Sequence, residues 1–182
     1  YSTVTDLAKF LSCLFAGGKS ILKPGTIEQM LTLQFAKPED KSGFGIGFVI
    51  GELEGKKRIG HGGAIYGFAT EVAALPGEKL GVIVVCSRDV ANAVMTRIAD
   101  ETLKCMLAVK TGTPLPAFYV DTPINAVEAR ELAGRYRSGD RWKDVTESAG
   151  RVFLLDDIGG LRVELRHRNA DFVTSGVLGS ET

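Results

Sequence analysis

The first apolar pattern in the chain has the period of an α-helix. Its apolar positions fall at i, i+3, i+4, i+7 and i+8, namely Leu7, Phe10, Leu11, Leu14 and Phe15. This spacing predicts an amphipathic helix with one buried face. Thr3 and Asp6 have the spacing of a capping box, with Ser2 or Thr3 as the cap, and Gly17-Gly18 is expected to end the helix. A second, shorter helix is predicted at 26–33.

Between residues 43 and 86 the period changes to the two-residue repeat of β-strands. Residues 43–48 alternate glycine with a large apolar residue and Val49-Ile50 follow, which predicts one strand over 43–50 with a bare face and an apolar face. Residues 69–75 and 80–86 have the composition of two more strands, separated by a turn at 76–79. Because these strands follow one another through short turns, the pattern predicts an antiparallel sheet.

Helical spacing returns over residues 90–107 and predicts a helix that packs back across the sheet. The proline-marked stretch that follows predicts a linker, and a short helix is predicted at 126–132. A β-meander is predicted beyond it, with strands at 144–146, 151–155, 161–165 and 171–174. Turn residues separate these strands at Gly139-Asp140, Ala149-Gly150, Gly159-Gly160 and Asn169-Ala170. The predicted fold class is therefore α+β: an antiparallel sheet flanked by helices, then a short β-meander.

The composition is that of an ordinary globular protein, with 45% hydrophobic and 24% charged residues. A length of 182 residues corresponds to one domain, or to one domain and a fragment of another. The formal net charge is zero, which gives no support for a nucleic-acid or anionic-membrane partner. No apolar run in the sequence is long enough to span a bilayer.

The three cysteines, Cys13, Cys86 and Cys105, are an odd number and include no C-x-x-C pair. Each stands in an apolar helix or strand pattern, which favours buried structural thiols. The sequence contains only two histidines and no cluster of metal-ligating residues. No metal site is therefore predicted, and no cofactor is expected.

Residues 60–68, Gly-His-Gly-Gly-Ala-Ile-Tyr-Gly-Phe, bring glycines and an imidazole together directly before a predicted strand. Glycines beside a strand allow another backbone or a ligand to approach closely. The stretch therefore predicts one wall of an active-site cleft, and the other walls are expected outside this sequence.

Four blocks of the chain, in their order and spacing, resemble the second half of a serine β-lactamase-related hydrolase. The blocks are 2–10, 43–48, 60–68 and 75–84. This family includes class C β-lactamases, penicillin-binding-protein-like DD-peptidases, and related esterases and aminopeptidases. The resemblance implies that residues 1–110 are the C-terminal part of a β-lactamase-like domain. It further implies that 111–124 are a linker and that 125–182 are part of a lipocalin-like β domain.

The resemblance also implies roles for the residues of the glycine-rich stretch. His61, Gly62 and Gly63 stand where the family carries K-T-G or H-x-G, on the strand that borders the active site. Gly62 and Gly63 would leave room for the substrate, Tyr66 would contact it, and the Ala64 N–H would donate to the developing oxyanion. His61 would bind a substrate carboxylate or tune the proton shuttle. The alternative is that His61 is an ordinary residue at the entry of a strand.

The family's nucleophile is the serine of an S-x-x-K motif, which this sequence does not carry in the expected context. Ser20-Ile21-Leu22-Lys23 fits the letters, but it is predicted in a loop between two helices and after the first matching block. The family's Y-x-N motif is also missing, and both motifs are expected upstream of residue 1. The implied partner is a missing N-terminal half, without which the chain would be inactive. The intact hydrolase would act on a small peptide, an ester or a β-lactam.

The sequence is also consistent with a second class of function, a non-catalytic module. The short meander would leave open sheet edges, which are pairing sites unless something covers them. The alternative is therefore a non-catalytic module that binds a peptide strand or forms a homo-oligomer through these edges.

Three other features look like sites but stand in the wrong context. Gly17-Gly18-Lys19-Ser20 resembles the end of a phosphate-binding loop, yet it follows a helix instead of opening one. Lys110-Thr111-Gly112 spells K-T-G at the end of a predicted helix, so we interpret the match as a coincidence. His167 is predicted to lie on the surface. The arginines at 135, 137 and 141 are most simply a solvated face, and an anion site is the alternative.

Overall fold

Antiparallel sheets with helices form both units of the chain, Tyr1–Pro116 and Ala117–Thr182. The computed structural model describes residues 1–18, 21–37, 39–118, 120–155, 162–168 and 171–178. Both units combine helices with antiparallel strands, which confirms the predicted α+β fold class.

The described residues of the first unit form one sheet and three α-helices. Its strands are β1 Gly43–Phe44, β2 Val49–Leu53, β3 Lys56–Ile65, β4 Phe68–Leu75 and β5 Leu80–Cys86. Its helices are α1 Val4–Phe15, α2 Pro24–Met30 and α3 Asn92–Thr111, and a short 3₁₀ helix, Pro76–Glu78, joins β4 to β5. The strands lie in the order β1-β2-β3-β4-β5, all antiparallel, because short turns connect each strand to the next.

The first helix begins at the predicted capping box. Thr3 Oγ1 accepts a hydrogen bond from the Asp6 N–H at 3.1 Å, which satisfies one of the unpaired amides of the first turn. Gly17 and Gly18 follow the helix with φ values of +79° and +68°, a conformation that favours glycine. Both ends of the predicted helix are thus confirmed.

Helices α1 and α3 cover opposite faces of the sheet. Along β4, Val72 and Ala74 belong to the apolar cluster of α1, whereas Ala73 and Leu75 belong to the cluster of α3. Alternate residues of a strand point to opposite faces, so the two helices pack on opposite sides. The central strands β3 and β4 are therefore held between two apolar layers.

The single strand predicted over residues 43–50 is wrong. β1 and β2 form a hairpin instead, since Gly47 takes a φ of +77° and turns the chain between them. Phe44 and Phe48, predicted on one face, are 70% exposed and 6% exposed respectively. A strict alternation of glycine and apolar residues therefore does not distinguish one strand from two short strands with a glycine turn.

The last helix of the first unit begins later than predicted. Val90 has a φ of +55°, which excludes it from a helix, and α3 starts at Asn92. The helix ends at Thr111, because Gly112 follows in the left-handed conformation with a φ of +72°. The interpretation of Lys110-Thr111-Gly112 as a helix end is confirmed.

In the second unit, the part that the structure describes is a meander and one short helix. The helix is α4 Ala126–Leu132, at the predicted position, and the strands are β6 Thr122–Pro123, β7 Gly134–Ser138, β8 Arg141–Ser148, β9 Arg151–Leu155, β10 Arg162–Arg168 and β11 Asp171–Leu178. The described strands form an open sheet in the order β11-β10-β9-β8-β7, and β6 pairs with β10. The predicted β-meander is confirmed. The predicted turns Gly159-Gly160 and Asn169-Ala170 lie outside the described residues.

The surface position predicted for His167 is wrong. Its side chain is only 25% exposed, its Nε2 lies 2.9 Å from a carboxylate oxygen of Glu128, and its ring lies 5.0 Å from the Phe172 ring. The helix α4 supplies the carboxylate from a distant part of the chain, so local composition does not show this pairing. By contrast, Arg135 and Arg137 are exposed as predicted.

The cysteines differ in part from the prediction. Cys13, Cys86 and Cys105 form no disulfide, as the sequence led us to expect. All three are half-buried rather than buried.

Candidate functional site

The glycine-rich stretch occupies the second half of β3, beside β4. The register between these strands ends with Ile65 opposite Phe68. A two-residue turn, Tyr66-Gly67, closes the hairpin, and Gly67 has a φ of +83°, a conformation that favours glycine. Residues 60–65 are therefore held in a regular strand and not in a loop.

The other side of this strand is open. β3 pairs with β2 only as far as Gly60, which lies opposite Val49. Among the described strands, none pairs with residues 61–65 on that side. We call this segment, residues 61–65 of β3, the open edge.

The two hairpin turns determine which backbone groups face outward at the open edge. In an antiparallel strand, consecutive residues direct their N–H and C=O groups alternately to one side and the other. Ile65 precedes a two-residue turn, so its groups and those of Gly63 point to β4. The Ala64 N–H therefore points away from β4. Counting from Lys56, which follows the β2–β3 turn, gives the same result.

The His61 side chain is exposed beside these outward groups. Its Nδ1 lies 2.7 Å from the Gly62 carbonyl oxygen. Since a carbonyl oxygen only accepts, Nδ1 is assigned as the nitrogen that carries the hydrogen. In the neutral imidazole this leaves Nε2 as an acceptor, which can receive a hydrogen bond or a proton.

The glycines of the stretch also pack closely against β4. A Cβ on Gly60 would lie 2.7 Å from the Val72 carbonyl oxygen, and one on Gly62 would lie 3.3 Å from Glu71 Oε2. A Cβ on Gly63 would collide with the Thr70 hydroxyl. A side chain at Gly60 would therefore collide with backbone, whereas at Gly62 and Gly63 a neighbouring side chain of β4 would have to shift.

Buried charges lie beneath the stretch, on the side of α3. Arg58 Nη2 donates to Glu71 Oε1 at 2.9 Å, and Arg58 Nε donates to Asp100 Oδ1 at 2.7 Å. Thr96 Oγ1 donates to the other oxygen of Glu71 at 3.2 Å. Burial by itself lowers the pKa of the Arg58 guanidinium, but the two carboxylates outweigh it, so the pKa is raised and the charge is kept. This network ties β3 and β4 to α3.

The carbonyl group behind the Ala64 N–H is also held by side chains. Asn92 Nδ2 donates to the Gly63 carbonyl oxygen at 2.8 Å, and Thr70 Oγ1 donates to the same oxygen at 3.3 Å. Asn92 is the first residue of α3 and half-buried. The peptide unit between Gly63 and Ala64 is thus fixed from the inner side of the sheet.

Sequence reasoning missed these supporting residues. Glu71 had a signal, because it is the one charged residue in the apolar run 69–75, and a lone charge in a buried strand indicates a buried partner. No sequence signal marked Asn92 as a supporting residue, because nothing in its local pattern connects it with the distant Gly63.

The structure brings four of the five predicted site residues onto one strand segment. His61, Gly62, Gly63 and Ala64 are consecutive on the open edge. Tyr66 lies in the adjoining turn and is 96% exposed. The neighbouring Gly67 N–H donates to Asp89 Oδ1 at 2.5 Å, which anchors the turn. Ser20, the serine of the S-x-x-K letters, lies outside the described residues.

Other kinds of site find no support in the described part of the chain. No group of three or more histidines, cysteines, aspartates or glutamates is placed to hold a metal ion there. No helix in those residues combines the length and apolar character needed to cross a membrane. Lys110 of the K-T-G letters binds Glu78 at 2.9 Å, at the far end of α3 from Asn92.

Comparisons with known proteins identify the family of the first unit. A family model described as "Beta-lactamase" matches residues 1–104. The octameric penicillin-binding protein homologue from Pyrococcus abyssi is 22% identical, with a TM-score of 0.53, and the match covers 95% of this chain and 42% of that one. SurE with D-Leu is 20% identical, with a TM-score of 0.38 and coverage of 84% and 36%. No curated protein matches the chain. The chain spans less than half the length of either structure.

Proposed function

The chain belongs to the β-lactamase family, and we propose that it is part of a serine hydrolase that cleaves an amide, ester or β-lactam through an acyl-enzyme. The observation that carries the proposal is the open edge of β3, where the Ala64 N–H points outward beside the exposed His61. The likeness to the Pyrococcus abyssi structure supports the fold.

Ala64 would act on the carbonyl oxygen of the substrate. When a nucleophile attacks the carbonyl carbon, the oxygen gains negative charge and becomes a stronger acceptor. An N–H that is fixed in a strand needs no reorganisation to donate to it. One such donor typically contributes about 10²–10³ in kcat.

His61, Gly62, Gly63 and Tyr66 would bind the substrate along the open edge. Gly62 and Gly63 present no side chain that would keep an extended substrate away from the backbone of β3. The His61 Nε2 is free to accept a hydrogen bond from a polar group of the substrate or of the catalytic machinery, because Nδ1 is used by the Gly62 carbonyl. Tyr66 would contact the substrate from the turn at the end of the edge.

The nucleophile would come from a segment outside this sequence, the N-terminal half of the hydrolase domain. Its serine oxygen would form a bond to the substrate carbonyl carbon while the lysine of S-x-x-K takes the serine proton. The proton then passes to the leaving amine or alkoxide as its bond to carbon breaks. Water releases the acyl group in the second half of the reaction. The chain alone would be inactive.

We also propose that residues 125–182 are part of a lipocalin-like β domain that follows a linker at 111–124. The meander of β7 to β11 supports this proposal, since such domains are built from consecutive antiparallel strands. Homo-oligomers are a further proposal, in line with the octamer named for the Pyrococcus abyssi protein. The outer strands of the sheets would supply the contacts.

Complementation tests the proposed function. The chain is produced with and without the gene-encoded segment that precedes Tyr1, and hydrolysis of a nitrophenyl ester, a chromogenic cephalosporin and a D-Ala-D-Ala peptide is measured. We expect hydrolysis only when both parts are present, and fluorescent penicillin should label a serine of the added segment. Labelling of Ser20 in the isolated chain would overturn the assignment of the nucleophile.

Two variants of Ala64 test the oxyanion donor. Ala64→Pro removes an N–H that has no strand partner on the open edge, and proline is tolerated at such positions. We expect kcat of the complemented enzyme to fall about 10²–10³-fold. Ala64→Gly keeps the N–H and is the matched control, with kcat close to that of the wild type. Equal kcat values for the two variants would contradict the role of Ala64.

The non-catalytic module is the second candidate function, and the open edge is the observation that favours it. A peptide strand could extend the sheet by pairing with residues 61–65. A gene product that carries no S-x-x-K and hydrolyses none of the three substrates, yet binds an extended peptide, would replace the hydrolase proposal with this one.

A further inference from the structure

We propose that Asn92 is a positioning residue for the Ala64 N–H, acting through the carbonyl group of the same peptide unit. The inference rests on the proposed function, because it assumes that Ala64 is the oxyanion donor. The observation behind it is the contact at 2.8 Å between Asn92 Nδ2 and the Gly63 carbonyl oxygen.

The geometry of a peptide unit connects the two groups. The Gly63 carbonyl and the Ala64 N–H belong to one planar trans peptide, so they point in opposite directions. The carbonyl points to the interior at β4, where Asn92 and Thr70 donate to it, and the N–H points to the open edge. Holding the carbonyl therefore also holds the direction of the N–H.

Hydrogen bonds to the carbonyl also change the strength of the N–H as a donor. Each donor at the carbonyl oxygen draws electron density from the peptide nitrogen, and chains of hydrogen bonds strengthen one another by about 10–30% per bond. Asn92 has the shorter of the two side-chain contacts, 2.8 Å against 3.3 Å for Thr70. Asn92 is accordingly the stronger of the two side-chain contributors.

The surroundings of Asn92 maintain this contact. Its amide must place nitrogen toward the carbonyl, since the carbonyl oxygen accepts and does not donate. The amide also packs against the strand at Gly62, where a Cβ would lie 3.6 Å from Asn92 Nδ2.

The matched variant is Asn92→Asp. Aspartate keeps the size of asparagine and is favoured in the first turn of a helix, so α3 should remain folded. It cannot donate to a carbonyl, however, and the Gly63 oxygen loses its closest side-chain donor. Asn92→Leu removes the donor without adding charge and serves as the second variant. Thr102→Ala, at an exposed hydroxyl that binds only within α3, is the control.

Two measurements test the proposal. In the chain itself, NMR should show upfield shifts of the Gly63 carbonyl carbon and the Ala64 amide proton in both Asn92 variants, with no shift in Thr102→Ala. In the complemented enzyme, kcat should fall about two- to eightfold with KM unchanged. This range assumes that loss of the Asn92 hydrogen bond removes about 10–30% of the free energy that the Ala64 N–H contributes, and that this N–H is worth about 10²–10³ in kcat.

The outcomes separate this inference from the proposed function. If Ala64→Pro lowers kcat but the Asn92 variants change neither kcat nor the two chemical shifts, the inference is overturned and the proposed function stands. If Ala64→Pro leaves kcat unchanged, the oxyanion role fails, and the inference fails with it even where the chemical shifts move.

Discussion

Arg58 on β3 and Glu71 on β4 form a buried ion pair, with 2.9 Å between Nη2 and Oε1 and side chains that are 12% and 5% exposed. Asp100 on α3 binds the same guanidinium from the helix side, at 2.7 Å. One arginine thus connects two strands and a helix directly beneath the glycine-rich stretch. The strand that carries the open edge is therefore supported by the ion pairs of Arg58 with Glu71 and Asp100, which only the tertiary fold brings together.

Removing one partner of this buried pair should lower the free energy of unfolding more than removing one partner of a more exposed ion pair. We expect Glu71→Ala to lower the free energy of unfolding by about 3 kcal/mol, because it leaves Arg58 buried with one carboxylate instead of two. Glu101→Ala, which breaks the more exposed Lys104–Glu101 pair, is the control and should cost less than about 1 kcal/mol. Denaturant titration measures both, and a similar cost for the two variants would contradict the prediction.

Gly60 should not tolerate a side chain. A Cβ there would meet the Val72 carbonyl oxygen at 2.7 Å, and the backbone of β4 cannot move away without breaking the strand pairing. We therefore expect Gly60→Ala to destabilise the chain by about 1–3 kcal/mol. Gly77→Ala is the control, because nothing lies within 4 Å of a Cβ at that position. Thermal unfolding should show a lower Tm for the first variant only.

The capping hydroxyl of α1 should have a measurable effect. Thr3 Oγ1 accepts from the Asp6 N–H, and its loss leaves that amide without an internal partner. Thr3→Ala is expected to cost about 1 kcal/mol, whereas Thr3→Ser should restore most of that stability because serine caps equally well. A serine variant as unstable as the alanine variant would show that the cap is not the cause.

Acid should weaken the second unit through Glu164. Hydrogen bonds from Arg151 lower the pKa of the Glu164 carboxyl, burial opposes them, and Arg166 adds to the lowering. A carboxyl whose pKa is lowered in the folded state stabilises the fold at pH values above its ordinary pKa, which is near 4.5. That stabilisation is lost as the pH falls through the lowered pKa. Glu164→Gln should therefore be less stable than the wild type at pH 7, and the difference should shrink toward pH 3.

The sole tryptophan, Trp142 on β8, reports on that unit by fluorescence. Denaturant midpoints are compared for wild type and Glu164→Gln at each pH. Glu131→Gln, at an exposed glutamate of α4, is the control. A difference between wild type and Glu164→Gln that stays constant from pH 7 to pH 3 would exclude the assignment of this acid sensitivity to Glu164.

Local patterns predicted most of the elements. The 3.6-residue period located α1, and the capping spacing of Thr3 and Asp6 located its beginning, because both depend only on neighbours within one or two turns. The position of α4 was predicted for the same reason. Prediction failed over residues 43–50, where the left-handed Gly47 turned one expected strand into two.

The sequence by itself determined the glycine-rich stretch as a candidate site, and the family resemblance named His61 and Ala64 within it. It did not determine that the edge of β3 is open, since that depends on where β2 stops pairing with its neighbour. Arg58, Glu71 and Asn92 were likewise joined only by the tertiary structure. The physical reason is that strand register and side-chain contacts depend on residues far apart in the chain, whereas helix periods, caps and turns depend on residues close together.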